Sequence, residues 1–156
     1  MIEFNVPGHG NIQIEHLVLD YNGTLATDGH LEPHVHQSLL EICNMLSIHV
    51  VTADTHGKVK EQLQGFPFQV NIIEPENQEV QKQAYIESLG TNTVIAIGNG
   101  LNDRLMLRDA EIGISVINHE GAAMKTAMES DIVCFSIIDA LELVIFPKRM
   151  VATLRN

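Results

Sequence analysis

Asp20-Tyr21-Asn22-Gly23-Thr24-Leu25 follows directly on the apolar run His16, Leu17, Val18, Leu19. A strand that ends in a carboxylate and then turns at a glycine puts that carboxylate at the carboxyl edge of a sheet, the edge where open α/β sheets bind ligands. Asp20 is held rigidly there, and Gly23 lets main-chain amides come close to an anion. Alone, the hexapeptide reads equally well as an Asn-Gly turn after a buried strand. The rest of the chain has to decide.

Upstream, residues 2–6 and 12–15 alternate around Pro7-Gly8-His9-Gly10, which predicts an N-terminal β-hairpin leading into the Asp20 strand. Downstream, after a polar segment at 26–33, Val35, Leu39, Leu40, Ile42, Cys43 and Leu46 recur at near-helical spacing, and 48–52 forms a strand that again ends in a polar residue, Thr52. Residues 58–64 predict a short helix, 68–73 a strand, and 78–89 a helix that Gly90 can close. Residues 93–97 are a buried-type strand ending in Gly98-Asn99-Gly100-Leu101-Asn102-Asp103, and 104–109 begins the next helix. Strands at 112–116 and 132–135 flank a helix near 121–129, and 137–145 is the last helix before Pro147. Strands alternating with helices predict a three-layer α/β/α, Rossmann-like fold with a mainly parallel sheet and right-handed crossovers. Met45, Met106, Met124 and Met128 fall at helical apolar positions and are expected in the core.

At 156 residues the chain fits one domain, 1–156. It is 45% hydrophobic and 19% charged, an ordinary globular balance. No window approaches the about 18 uncharged apolar residues that a spanning helix needs. Met1-Ile2-Glu3-Phe4-Asn5 lacks the basic start and apolar core of a signal peptide, so the cytoplasm is expected. Cys43 and Cys134 each lie among apolar residues, favouring two buried thiols over a disulfide. A formal net charge of −11 argues against a nucleic-acid surface and against anionic lipid. Lys148, Arg149 and Arg155, the basic cluster at the C-terminus, suit the end of a final helix.

Asp20, Thr52, Lys82 and Asn99 to Asp103 all fall at strand ends or helix starts, so one sheet edge can collect them. A strand-end aspartate is a nucleophile toward phosphorus, because an acyl-phosphate splits one hard displacement into two easier ones. Such chemistry needs hydroxyl and amide donors on the phosphoryl oxygens, a lysine beside them and a divalent cation. Thr52, Lys82 and the Asn99–Asp103 loop offer these in order. Each also has a plain alternative: Thr52 an N-cap, Lys82 a solvated helix lysine, Asn99-Gly100 a turn. Their joint order is what carries the reading.

At these residues the chain resembles the haloacid dehalogenase (HAD) superfamily, whose first motif is Asp-x-Asp-Gly-Thr, and within it the phosphorylation domain of P-type ATPases. Asp20 to Leu25 looks like that domain's Asp-Lys-Thr-Gly-Thr, Thr52-Ala53-Asp54 like its Thr-Gly-Asp, and Gly98 to Asp103 like its Gly-Asp-Gly-x-Asn-Asp. Lys82, one helix before Ile97, matches the motif lysine, and similarity runs on through Ser130-Asp131-Ile132-Val133. The stretches from Asp20 to Thr52 and from Thr52 to Lys82 are too short to hold an ATP-binding domain or a folded cap. The resemblance is therefore to soluble, capless phosphohydrolases, with transport excluded and only a small flap at 26–33.

Carried over residue by residue, the resemblance makes Asp20 the nucleophile. It gives Mg²⁺ the ligands Asp20, the Asn22 main-chain carbonyl, Asn99 and Asp103, and it assigns phosphate binding to Gly23, Thr52, Ala53, Lys82 and Asn102, with Asp54 in support. Two positions depart from the family. Asn22 stands where phosphatases carry an aspartate general acid and base, and an amide cannot exchange a proton at neutral pH. The loss of such help typically costs about 10² to 10⁴ in rate. Asn99 replaces a metal-ligating carboxylate, which implies weaker Mg²⁺ binding. The resemblance also implies a phosphorylated small molecule or phosphoprotein as substrate, and a homo-oligomer, since other capless members complete their open site with a neighbouring subunit. The competing reading, favoured by Asn22 and Asn99, is a binding or regulatory protein that keeps the fold without useful turnover. His30, His34 and His36 flank Pro33 and read as a solvated flap, with a transition-metal site the alternative.

Overall fold

The computed structural model describes residues 1–53 and 59–156. Strands β1 (Ile2–Val6) and β2 (Gly10–Ile14) form the antiparallel N-terminal hairpin, β3 (His16–Leu19) enters the main sheet, and β4 (Ala26–Thr27) and β5 (His30–Leu31) make a two-stranded flap. There follow α1 (Val35–Ile42), β6 (Ser47–Thr52), α2 (Val59–Gln62), β7 (Gln69–Ile72), α3 (Gln78–Leu89) and β8 (Val94–Gly98). The chain ends with α4 (Arg104–Asp109), β9 (Ile112–Val116), α5 (Met124–Glu129), β10 (Ile132–Cys134), α6 (Ile137–Ile145) and α7 (Pro147–Leu154).

The main sheet has six strands in the order β10-β9-β8-β3-β6-β7, and every neighbouring pair is parallel. Strands β3 and β8 read His-Leu-Val-Leu and Val-Ile-Ala-Ile-Gly, near-continuous apolar runs, because helices cover both faces of the sheet. Leu17, Leu19, Ile95 and Ile97 pack with Leu39 and Ile42 of α1, Leu141 and Val144 of α6 and Met150 of α7. On the other face, Val18, Val51, Val94 and Ala96 pack with Ile86 of α3 and with Met106 and Leu107 of α4. These are the three expected layers. The strand that leads into Asp20 is central: Leu19 lies opposite Val50 of β6 and Ile97 of β8, so the carboxyl ends of three strands meet around Asp20.

Three expectations need correcting. Met124 and Met128 are 72% and 77% exposed, not core; Met106 is buried as expected and Met45 half-buried. Helix α5 is short and anchors itself through buried Thr126, whose hydroxyl donates to the Gly100 carbonyl (2.8 Å), leaving its methionines facing outward. Pro147 does not close the helical region but opens α7 at its first turn, where a missing N–H costs nothing. Cys134 is buried but Cys43 only half so, and both thiols are free. His30, His34 and His36 are exposed, and His36 meets Phe66 edge-on. Among the described residues, no helix is long and apolar enough to cross a membrane. Asp54 and Lys58 lie outside the described residues.

Candidate active site

The hexapeptide turn is built on one carbonyl. Tyr21 O accepts from the amides of Thr24 (3.2 Å), Leu25 (2.9 Å) and Ala26 (3.0 Å), while the Asp20 amide donates to Ile97 O (3.0 Å) and ties the turn to β8. Gly23 is required twice over. Its φ is +79°, and a Cβ there would meet the Asn99 side chain at 2.6 Å. The Thr24 hydroxyl donates toward Asp20 Oδ2 (3.0 Å) and Asn99 Oδ1 (3.2 Å), so the Asp20 turn and the β8 loop share one donor.

Lys82 reaches this point from α3 and is fully buried. Its Nζ lies 2.5 Å from Asp20 Oδ1 and 2.6 Å from Asp103 Oδ1. The other oxygen of Asp103 accepts from the amides of Asn99 (2.9 Å) and Gly100 (2.8 Å), which wraps the β8 loop around a single carboxylate. A Cβ on Gly98 would stand 2.5 Å from Asp103 Cγ, so only glycine lets that carboxylate sit there. Burial, and next the charge of Asp103, push the Asp20 carboxyl up to about 6, against the lowering by Lys82 and Thr24. Burial pulls Lys82 down, but Asp103 and Asp20 outweigh it and hold its pKa above that of an ordinary lysine. Two buried carboxylates facing one ammonium leave the centre one charge short of neutral.

The centre suits a hard, oxygen-seeking cation. Asn22 Oδ1 is buried without a hydrogen-bond partner, an acceptor with nothing to accept from among the described residues. The Asn99 amide donates from Nδ2 to Gly121 O (2.9 Å), which turns Oδ1 inward toward Asp20 and Thr24. The donors available are oxygens of Asp20, Asn22, Asn99 and Asp103; no group of three His, Cys, Asp or Glu side chains gathers among the described residues.

Register places buried Thr52 at the end of β6, beside the strand carrying Asp20, with half-buried Ala53 next. Asn102 turns the other way: its amide donates to Gln78 Oε1 (2.8 Å) at the start of α3, lining a cavity of about 450 Å³ with Pro75, Asn77 and Leu101. Sequence reading missed the loop after β9. Asn118 Nδ2 donates to Gly23 O (2.9 Å) and Thr24 O (2.8 Å), and its Oδ1 accepts from the Ile137 amide at the start of α6 (2.8 Å). Glu120 Oε1 accepts from the Asp28 amide in the flap turn (3.3 Å), and Gln62 of α2 grips the flap from the far side through Leu31 N (2.9 Å) and Gly29 O. The polar run Asn118-His119-Glu120-Gly121 after an apolar strand was the available signal, a fourth polar strand end at the same sheet edge.

No family model matches the chain. An uncharacterized protein of Methanocaldococcus jannaschii is 52% identical over 63 residues, covering 40% of this chain and 68% of that protein. Among solved structures, 3-deoxy-D-manno-octulosonate 8-phosphate phosphatase from Moraxella catarrhalis, in complex with magnesium, phosphate and the KDO molecule, superposes with a TM-score of 0.65 at 18% identity, over 91% of this chain and 94% of that one. The enzyme of the same name from Yersinia pestis gives 0.67 at 11% identity, over 97% and 95%. A phosphatase of the HAD superfamily from Bacteroides thetaiotaomicron gives 0.61 at 12% identity, over 89% and 96%. At such identities the likeness is one of fold. The ATPase part of the resemblance rests on the motif residues alone.

Proposed function

We propose that this chain, which belongs to the family of the Methanocaldococcus jannaschii protein and has the fold of the HAD phosphatases, hydrolyses phosphate esters and anhydrides through an aspartyl-phosphate on Asp20. The observation that carries this is Lys82 Nζ, buried at the carboxyl edge of the sheet and held 2.5 Å from Asp20 and 2.6 Å from Asp103. A lysine buried among apolar residues alone loses its proton; one clamped between two carboxylates keeps its charge where a phosphoryl group brings more negative charge.

Asp20 attacks phosphorus, the bond from phosphorus to the leaving oxygen breaks, and an acyl-phosphate forms. Lys82 offsets charge on the nucleophile and on the phosphoryl oxygens, while the Thr52 hydroxyl and the Ala53 amide donate to those oxygens; the Gly23 amide, expected from the sequence to join them, is engaged by the Ala26 carbonyl (2.7 Å). Asn102 steadies the loop from its bond to Gln78. Water then attacks phosphorus, releasing inorganic phosphate and restoring the Asp20 carboxylate. Mg²⁺, when bound by Asp20, the Asn22 carbonyl, Asn99 and Asp103, supplies further neutralisation of the phosphoryl charge.

Asn22 sets the substrate preference. It hydrogen-bonds a leaving oxygen but cannot protonate it, so the site favours substrates whose leaving group departs as a stable anion: acyl and aryl phosphates over alkyl ones. The flap is short, two strands of two residues each, and the substrate class that suits it is a phosphorylated small molecule or an exposed phosphorylated side chain. Phosphate release from acetyl phosphate, p-nitrophenyl phosphate and an alkyl phosphate, measured with Mg²⁺, tests the reading. Rates should fall in that order and vanish in Asp20→Asn. An alkyl phosphate hydrolysed as fast as acetyl phosphate, or turnover surviving in Asp20→Asn, contradicts it.

A further inference from the structure

One feature that the phosphatase reading leaves unused is apolar and lies beyond the edge of the sheet. Met124, Met128, Val133 and Phe135 are 72%, 77%, 49% and 82% exposed. Beside them opens a cavity of about 410 Å³ lined by Ile117, Ala122, Met124, Ala127, Met128 and Val133. Strand β10 is an edge of the sheet. Edges left in water are ordinarily blunted by lysine, proline or a bulge. The other edge, β7, also lacks charge and proline but reads Gln-Val-Asn-Ile, with two amide side chains, whereas β10 reads Ile-Val-Cys and runs into Phe135.

We propose that this face binds a second copy of the chain about a two-fold axis, with Phe135 of each copy seated in the apolar cavity of the other. A projecting ring and a cavity on one face are self-complementary, and a contact that pairs each with the other closes at two copies instead of growing into a filament. Charge selects the same place. Two chains of net charge −11 repel over most of their surface. On α5 the charged residues are Lys125 and Glu129, and Glu129 is already engaged by Arg104 (2.8 Å), so the methionine face offers little repulsion. The four side chains expose on the order of 500 Å², the upper range of what a monomer leaves bare. Doubled across a two-fold axis, this reaches the roughly 1,000 Å² at which specific interfaces begin.

The dimer also bears on the site. Ile117 and Ala122 line the cavity and bracket Asn118 and Glu120, the residues that hold the nucleophile turn and the flap. A ring in the cavity therefore buttresses that loop from behind.

Light scattering coupled to gel filtration, on the full chain without substrate, tests the proposal independently of any phosphatase activity. The chain should run as a dimer at tens of micromolar, and Phe135→Asp should raise the dimer dissociation constant by at least about 100-fold, as expected for a buried aromatic anchor lost from both halves. Met128→Glu, at a second exposed position, should do the same, and circular dichroism should show both variants folded. A chain that stays monomeric up to about 100 μM leaves the face to a different partner and overturns the proposal. So does a dimer that neither substitution weakens.

Discussion

Asp20→Asn should stop turnover and, in the metal-free protein, stabilise the fold. The Asp20 carboxyl is pushed from 3.8 up to about 6, first by burial and then by Asp103, with Lys82 and Thr24 pulling the other way. A raised folded pKa means that the native state keeps a proton which the unfolded chain releases between those two values. The favourable contribution is therefore complete below pH 3.8 and lost as pH rises through 6. Above that, ionised Asp20 works against folding. Two units at about 1.4 kcal/mol each set the cost near 3 kcal/mol. The amide keeps the shape of the side chain and removes the excess charge, while Lys82 keeps Asp103 at 2.6 Å. Part of the gain goes with the lost bond from Lys82, so the net is about 1–3 kcal/mol, or roughly 2–10 °C in Tm for a chain of this size. Thermal and urea unfolding of both proteins in EDTA, from pH 8 to pH 4, measure it. The gap should be widest at pH 7 to 8 and close as the wild-type carboxyl takes up its proton; Mg²⁺ should narrow it at neutral pH by binding the native wild type. If Asp20→Asn is the less stable protein at pH 7.5, or the gap ignores pH, the electrostatic description of this centre is wrong.

Asn99→Asp should tighten Mg²⁺ binding by about tenfold in titration calorimetry, because a third negative charge joins Asp20 and Asp103 around a hard cation; an unchanged affinity places Asn99 outside the coordination shell. Asn22→Asp should raise hydrolysis of alkyl phosphates by up to about 10², and that of acetyl phosphate by less, as it restores a group able to protonate the leaving oxygen. Equal gains on both substrates remove the general-acid explanation. His49 is buried between His16 (3.0 Å) and Tyr85 (2.8 Å), and burial, then His16, lowers its pKa from 6.5 to about 4. Its neutral form contributes stability that is whole above pH 6.5 and lost as pH falls to about 4. In an Asp20→Asn background, stability should therefore drop by about 1–3 kcal/mol between pH 7 and pH 4, and His49→Leu should flatten that slope.

The sheet was readable from the sequence because β3, β8 and β9 are buried on both faces, and continuous apolar runs between helical stretches have few other uses. Met124 and Met128 were misplaced for a physical reason. Periodicity reports that a helix has an apolar side, not whether a layer exists to cover it, and α5 sits beside an edge strand. Asp20, Lys82, Asn99 and Asp103 were legible as a set through their order along the chain, and the fold links them in one chain of hydrogen bonds, Asp20 to Lys82 to Asp103 to the Asn99 amide. Asn118 and Glu120 were not. Their partners are main-chain atoms of Gly23, Thr24 and Asp28, far away in sequence, and a bond from a side chain to a distant carbonyl leaves no pattern in either segment. The contact between His16 and His49 was hidden likewise, since it needs β3 and β6 to be neighbours.

The central claim is a covalent one, and trapping the intermediate tests it most directly. Protein loaded with Mg²⁺ is mixed with acetyl phosphate, quenched in acid, digested and mapped by mass spectrometry. The account predicts a phosphoryl group on Asp20 that hydroxylamine removes, that Asp20→Asn never acquires, and that lasts longer in the wild type than in Asn22→Asp. Folded, Mg²⁺-loaded protein whose Asp20 stays unmodified while phosphate is released, or which binds phosphate compounds without phosphorylation or turnover, contradicts it and leaves the binding or regulatory reading in its place.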